Sequence, residues 1–308
     1  MGTKGTRLPR NVERNPSVYA PGATSGNADR RRIHAGCPAD GSACSLATAA
    51  TLMYGLNSSY NAAQFSLSHR YAAGFGFNVS YWFSKSIDYS SGMNLNITSA
   101  QALAGENDQA QNPFDLNAER GLSLFDARHR FVASGMWELP FARKAQGRTR
   151  NLLGGWQLNG IVTANTGTPF TVYDTANVAL QATSPPISGY APSRPDLVGD
   201  PNTGPRTVEA WLSRTPFRRL VAATEAGNFG NAGRNIARGP GFANVDVSLL
   251  KDFTLAEGTR LQFRAEAFNI ANHANFGLPI ADLASPNFGR ILSASQARLM
   301  QFGLKLIF

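Results

Sequence analysis

The side chains best placed for chemistry are Asp126, Arg128, His129 and Arg130, with Ser123 just upstream. A hydrolase built from them would need a nucleophile on a strained turn and a histidine oriented by an acid, and the run FDARHRF encodes neither. The same residues read better as a polar strand entrance held by an Asp–Arg pair. Arg264 and Glu266 alternate on one strand face, where they could hold a metal or a substrate; the expectation is cross-strand pairing with Asp246 and its neighbours in a watery lumen. Asn107, Asp108 and Asp115 lack the spacing of a calcium loop. No G-x-S-x-G, H-E-x-x-H, C-x-x-C, Walker or G-x-G-x-x-G motif occurs, so neither an enzyme nor a cofactor is expected.

Cys37 and Cys44 are the two cysteines, set in the loop CPADGSAC. Two cysteines cannot hold a structural zinc alone, and His34 does not supply the spacing of a known site. A disulfide closing this short loop suits an oxidising compartment. No metal site is expected.

Charged residues make up 16% of the chain, against roughly 25% in soluble domains. Mean hydropathy is nevertheless −0.22, and no run approaches the roughly 18 apolar residues of a membrane helix. Half-hydrophobic strands joined by Asn, Ser and Gly loops reconcile the two. The net charge of +9 rests on 24 Arg against 5 Lys. These Arg are scattered and lack the aromatic interleaving of a single-strand groove, so nucleic acid is not expected as a partner. Arg on outer loops could meet anionic lipid headgroups, or could reflect a codon bias.

The elements that would position any site are short alternating strands. In LMQFGLKLIF (299–308), Met300, Phe302, Leu304, Leu306 and Phe308 share one face, while Gln301, Gly303 and Lys305 share the other. Six similar segments precede it: Ala63 to Arg70, Phe75 to Phe83, Arg130 to Leu139, Gly155 to Asn165, Asn244 to Phe253 and Leu261 to Ile270. Val132, Met136 and Ile161 are apolar residues in the polar phase. Ten residues at about 3.3 Å each, tilted near 45°, cover the roughly 25 Å apolar band of an outer-membrane barrel.

The connections alternate in length. Those near 71–74, 140–154 and 254–259 are short or moderate, and those near 86–129, 166–243 and 271–297 are long. A barrel inserted from one side has short periplasmic turns and long outer loops, which a soluble sandwich has no reason to copy. The fold expected is all-β, an antiparallel transmembrane β-barrel. Residues 57–308 would supply its C-terminal strands, and 1–56 an extracellular, irregular segment with one extra strand able to hide in Leu46 to Tyr54. Seven strands cannot close, so further strands are required. The N-terminus lacks the apolar core of a signal peptide, which leaves three readings: the chain is the C-terminal portion of a longer protein, Met1 is a false start, or the fold is not a barrel.

FSLSHRYAAGFGFNVSYWFSKSID (65–88), FDARHRFVASGMWELPF (125–141), LLGGWQLNGIVTANTGTPFTV (152–172), FGNAGRNIARGPGFANVDVSLLKDF (229–253), LQFRAEAFNIANHANFG (261–277) and the terminal strand resemble the C-terminal barrel of TonB-dependent receptors, the Oar-like kind. The resemblance implies a 22-stranded barrel of the cell outer membrane with an N-terminal plug, energised through an inner-membrane complex. It also implies that Met300, Phe302, Leu304, Leu306 and Phe308 form the signal read by the barrel-assembly machinery. Plug, coupling box and signal peptide are not found in this sequence, so the energy-coupling complex would be engaged only through the missing N-terminal part. Uptake or reception of an external ligand is the function implied. An adhesin or structural barrel of the same membrane is the alternative, and a soluble β-sandwich a third.

Overall fold

The computed structural model describes residues 1–13, 50–91, 110–175, 193–225 and 228–308. Cys37, Cys44, Asn107 and Asp108 lie outside the described residues. The main sheet is antiparallel throughout and contains β1 (Gly2–Glu13), β2 (Ala50–Ala72), β3 (Phe75–Asp88) with the short β4 (Gly121–Leu122), and β5 (His129–Glu138) and β6 (Trp156–Asn165). Short ladders β7 (Pro169–Phe170), β8 (Asp196–Leu197), β9 (Phe217–Arg218) and β10 (Ala237–Arg238) follow within one connection. The sheet then resumes with β11 (Phe242–Ala256), β12 (Thr259–Phe268) and β13 (Leu299–Ile307), in the order β1-β2-β3-β5-β6-β11-β12-β13.

Register shows why these segments pair as they do. Residues opposite one another across a ladder share a face. The row Leu67, Val79, Ala133, Val162, Val245 follows from the pairings Leu67↔Val79, Val79↔Ala133, Ala133↔Val162 and Val245↔Val162. Leu249↔Ala265 and Ala265↔Phe302 carry the same face on to β13. One side of seven strands is therefore an apolar band from Phe65 to Leu306. Phe302 and Leu304 on it are 73% and 70% exposed, with no protein layer over them among the described residues. The other side carries Gln64, Asn78, Ser134, Asn159, Ser248, Gln262 and Gln301. Val132, Met136 and Ile161 do sit in that polar phase.

The segment 1–56 is not irregular where described. β1 forms a ladder running from Gly2↔Asn61 to Glu13↔Ala50, and the extra strand near 46–54 is the start of β2 itself. Gly2, Gly5 and Pro9 break any apolar alternation in β1, and an edge position tolerates a proline that a central strand would not. β1 covers only the outer half of β2. Residues 63–72 of β2 and all of β13 have no strand on their far side among the described residues.

The turns at 73–74 and 257–258 are tight, and glycine supplies the positive φ each needs at Gly74 and Gly258. Where described, the long connections fold rather than wander. Phe170, Val172, Leu212, Phe217, Ala237, Ala281, Leu283 and Phe288 form a buried core drawn from 166–243 and 271–297. Phe217 meets Phe288 edge-on at 5.9 Å. The outer end of the wall thus carries a cap with its own small core.

Candidate functional site at the lumenal mouth

Buried ion pairs fasten this cap to the strand ends. Glu119, on the turn Leu116–Glu119, accepts from Arg194 Nη1 at 3.0 Å and Nη2 at 2.9 Å, from Arg10 Nη2 at 3.2 Å and from the Gln111 amide at 3.0 Å. Burial works to raise the Glu119 pKa, but the Arg194 and Arg10 guanidiniums and the Gln111 amide outweigh it and hold the carboxyl below the usual carboxylate range. Arg234 pairs with Asp88 at the end of β3 and donates from Nε to the Glu119 carbonyl at 2.9 Å. Asp126 accepts from Arg238 Nη2 at 2.9 Å and from the Ser86 amide at 2.8 Å.

Inside these clamps, at the outer end of the polar face, lies a cavity of about 310 Å3. Tyr60 on β2, Trp82 on β3 and Arg130 on β5 come from the wall; Phe125 and Asp126 come from the cap. Ser84 Oγ donates to the Ala127 carbonyl at 2.8 Å, and Ser86 Oγ lies 2.7 Å from Ser123 Oγ, so the serine floor is already satisfied. Arg130 lies over the Trp82 ring at 5.9 Å and has no carboxylate partner among the described residues. An aromatic plate beside an uncommitted guanidinium suits a ligand with a flat or apolar body and an anionic group.

Several expectations change at this point. The Asp–Arg pair at the strand entrance exists, but Asp126 takes Arg238, far along the chain, and not Arg128 or Arg130. Arg128 instead lies over Phe83, and His129 Nδ1 is 2.7 Å from the Tyr81 hydroxyl. Arg264 pairs with Glu266 at 3.8 Å, and Gln301 also donates to Glu266. Asp246 is too far along the ladder to join them, since Arg264 faces Leu250; Asp246 accepts from the Asn269 amide at 2.8 Å. Asp115 caps the Leu116–Glu119 turn by accepting from the Asn117 amide at 3.0 Å. Met300, Phe302, Leu304, Leu306 and Phe308 are all exposed, and the first four lie on the apolar face. Among the described residues no three or more His, Cys, Asp or Glu side chains come together as metal ligands.

Sequence reasoning missed Tyr60 and Trp82. A signal existed: in FGFNVSYWFS, Trp82 is the one large aromatic in the polar phase of its strand, between Ser80 and Ser84. Curated proteins give no match to this chain. The model of a protein family described as an outer membrane beta barrel domain matches residues 1–301. With its apolar band facing outward, its polar face inward and its long connections gathered at one end, the chain belongs to that family and is a barrel protein of the outer membrane.

Proposed function

We propose that the chain is a wall portion of a TonB-dependent receptor that takes up, or senses, an external ligand. The observation that carries this reading is the uncommitted Arg130–Trp82 pair, set at the lumenal mouth beneath a folded cap. The open sheet supports it. Unpaired backbone in lipid costs several kcal/mol per group, so the free edges of β2 and β13 need partners. Both strands run from the outer side to the periplasmic side, so a second copy would meet them in parallel. Closing an antiparallel wall takes an odd number of further strands; any even-stranded barrel, the 22-stranded transporters included, leaves such a number beyond the seven that span here. β13 would be the strand offered to the assembly machinery by edge pairing.

The test compares cells with and without the protein for depletion of compounds from a complex medium, with and without a protonophore. Depletion of one anionic, aromatic or apolar-bodied compound that needs both the protein and the gradient supports energised uptake. Protein-dependent surface binding that ignores the protonophore rejects it in favour of an adhesin or structural barrel. Trp82→Ala with Arg130→Ala is expected to lower that depletion at least about tenfold, the scale of losing a central aromatic or Arg anchor, while heat-modifiable migration stays as in the parent.

A further inference from the structure

We propose that the connection between β5 and β6 is an anionic-phospholipid site of the periplasmic leaflet, a property independent of any transported ligand. This connection, LPFARKAQGRTRNLLGG (139–155), is the long one at its end of the wall; its neighbours there are the tight turns at 73–74 and 257–258. It carries Arg143, Lys144, Arg148 and Arg150 and no Asp or Glu. Trp137 and Trp156 lie on the apolar face at its two ends. Indoles settle at the membrane–water boundary, so a segment that starts and ends beside two of them lies at headgroup depth.

What this segment shows to its surroundings is both apolar and cationic. Phe141, Leu152 and Leu153 are 57%, 59% and 58% exposed, the last two on the helix Gly147–Leu153. Lys144, Arg148 and Arg150 make no ion pair or side-chain hydrogen bond among the described residues. Apolar side chains beside uncommitted cations are the composition that binds an anionic leaflet, the former entering the acyl boundary and the latter meeting phosphate.

A further cation joins them from the wall. Lys251 lies on the lipid-facing side, in register with Trp156 and Phe263, yet its side chain is only 3% exposed. Its ammonium reaches toward the periplasmic end, donates to the Gly154 carbonyl and lies 5.0 Å from the Phe253 ring centre. Arg143, Arg150 and Lys251 line one cavity of about 400 Å3 together with Glu138 and Asp252. Those two carboxylates belong to the inner face, where Tyr71 donates to Glu138 and Gln262 to Asp252. A headgroup phosphate would enter from the lipid-facing side, among the cations, with acyl chains along Trp156 and Phe263, which meet edge-on at 6.2 Å.

The protein extracted from its outer membrane and reconstituted in phosphatidylethanolamine vesicles tests this. A minor fraction of lipid brominated on its acyl chains is supplied as phosphatidylglycerol in one arm and phosphatidylethanolamine in the other, and tryptophan quenching is read. Quenching by the anionic lipid is expected to indicate about fivefold local enrichment, the scale of one cation's attraction to an anionic lipid. Inorganic phosphate at millimolar concentration should not displace it. Lys144→Gln with Arg148→Gln and Arg150→Gln should bring the two arms together while heat-modifiable migration is unchanged. Should that triple variant fail to assemble, Arg148→Gln alone is expected to reduce the enrichment measurably. Equal quenching in the parent, or enrichment that survives the substitutions, would overturn the proposal. Equal quenching together with co-sedimentation on purified cell wall would assign the patch to that polymer instead.

Discussion

Glu119→Gln is expected to release the outer cap while leaving the wall assembled. The substitution keeps the side chain's size but removes the charge that Arg10 and Arg194 share, and both guanidiniums are almost fully buried, with side chains 1% and 5% exposed. Removing one partner of a buried ion pair costs roughly 3–5 kcal/mol, because the charge left behind cannot regain water. A cap held by a core of eight buried side chains has little reserve against a loss of that size. Hydrogen exchange or limited proteolysis within 193–238 should therefore rise by two orders of magnitude or more, with heat-modifiable migration retained. Acid should imitate the substitution. The Glu119 carboxyl titrates lower in the folded protein than its unfolded value near 4.3, so its stabilisation is complete above that value and is lost as pH falls through the lower, folded one. Protection of the cap in the parent should hold as pH falls to the unfolded carboxylate range and fail below it, and in Glu119→Gln that particular acid step should be missing. A cap equally protected in both proteins at pH 7 would mean that the ion pairs are incidental to its folding.

The contrast between wall and cap also marks how far the sequence is legible. Each spanning strand is specified locally. A residue such as Val79 declares its face through Phe77 and Tyr81 two positions away, and register with the neighbours then follows from matching like faces. β1 is not specified in that way, because GTKGTRLPRNVE has few apolar residues and at its outer end sets Arg10 and Val12 against buried surroundings. The cap is legible only in part, for its core joins Phe170 to Leu283 and Phe217 to Phe288, pairs with no periodic relation along the chain. The clamps show the same limit. Arg10 and Glu119 are 109 residues apart, and Asp88 and Arg234 are 146 apart. Nothing around Asp126 announces Arg238, which is why a local Arg128 or Arg130 is the natural expectation. The mouth falls between these cases. Trp82 is conspicuous within its own strand, whereas its partners Tyr60 and Phe125 become neighbours only through the register of β2 and the fold of the cap.

Leu304→Arg and Val79→Arg are expected to abolish stable insertion, while Gln301→Arg and Asn78→Arg are expected to insert as the parent does. The four positions lie on two strands and differ in face: Leu304 faces Phe263 and Val79 faces Ala133 on the apolar side, whereas Gln301 faces Glu266 and Asn78 faces Ser134 on the polar side. An Arg near the bilayer midplane costs roughly 2–4 kcal/mol in such a barrel, and one in the aqueous lumen costs almost nothing. The chain already supplies two internal controls. Lys305, one residue beyond Leu304, places a cation on the inner side against Gln262. Lys251 does lie on the lipid-facing side, but at the periplasmic end, where it satisfies its ammonium at the Gly154 carbonyl and the membrane is thinning into headgroups. Depth and face together, and not the mere presence of charge, thus set the cost. Val79 is included because Leu304 belongs to β13, the strand proposed above to meet the assembly machinery; a defect at Leu304 alone would report on such recognition, whereas a defect at both reports on lipid. Heat-modifiable migration of all four variants separates the cases. Equal behaviour of Val79→Arg and Asn78→Arg would mean that the apolar band does not face the bilayer, and the outward greasy side of every strand would then need another protein layer to cover it.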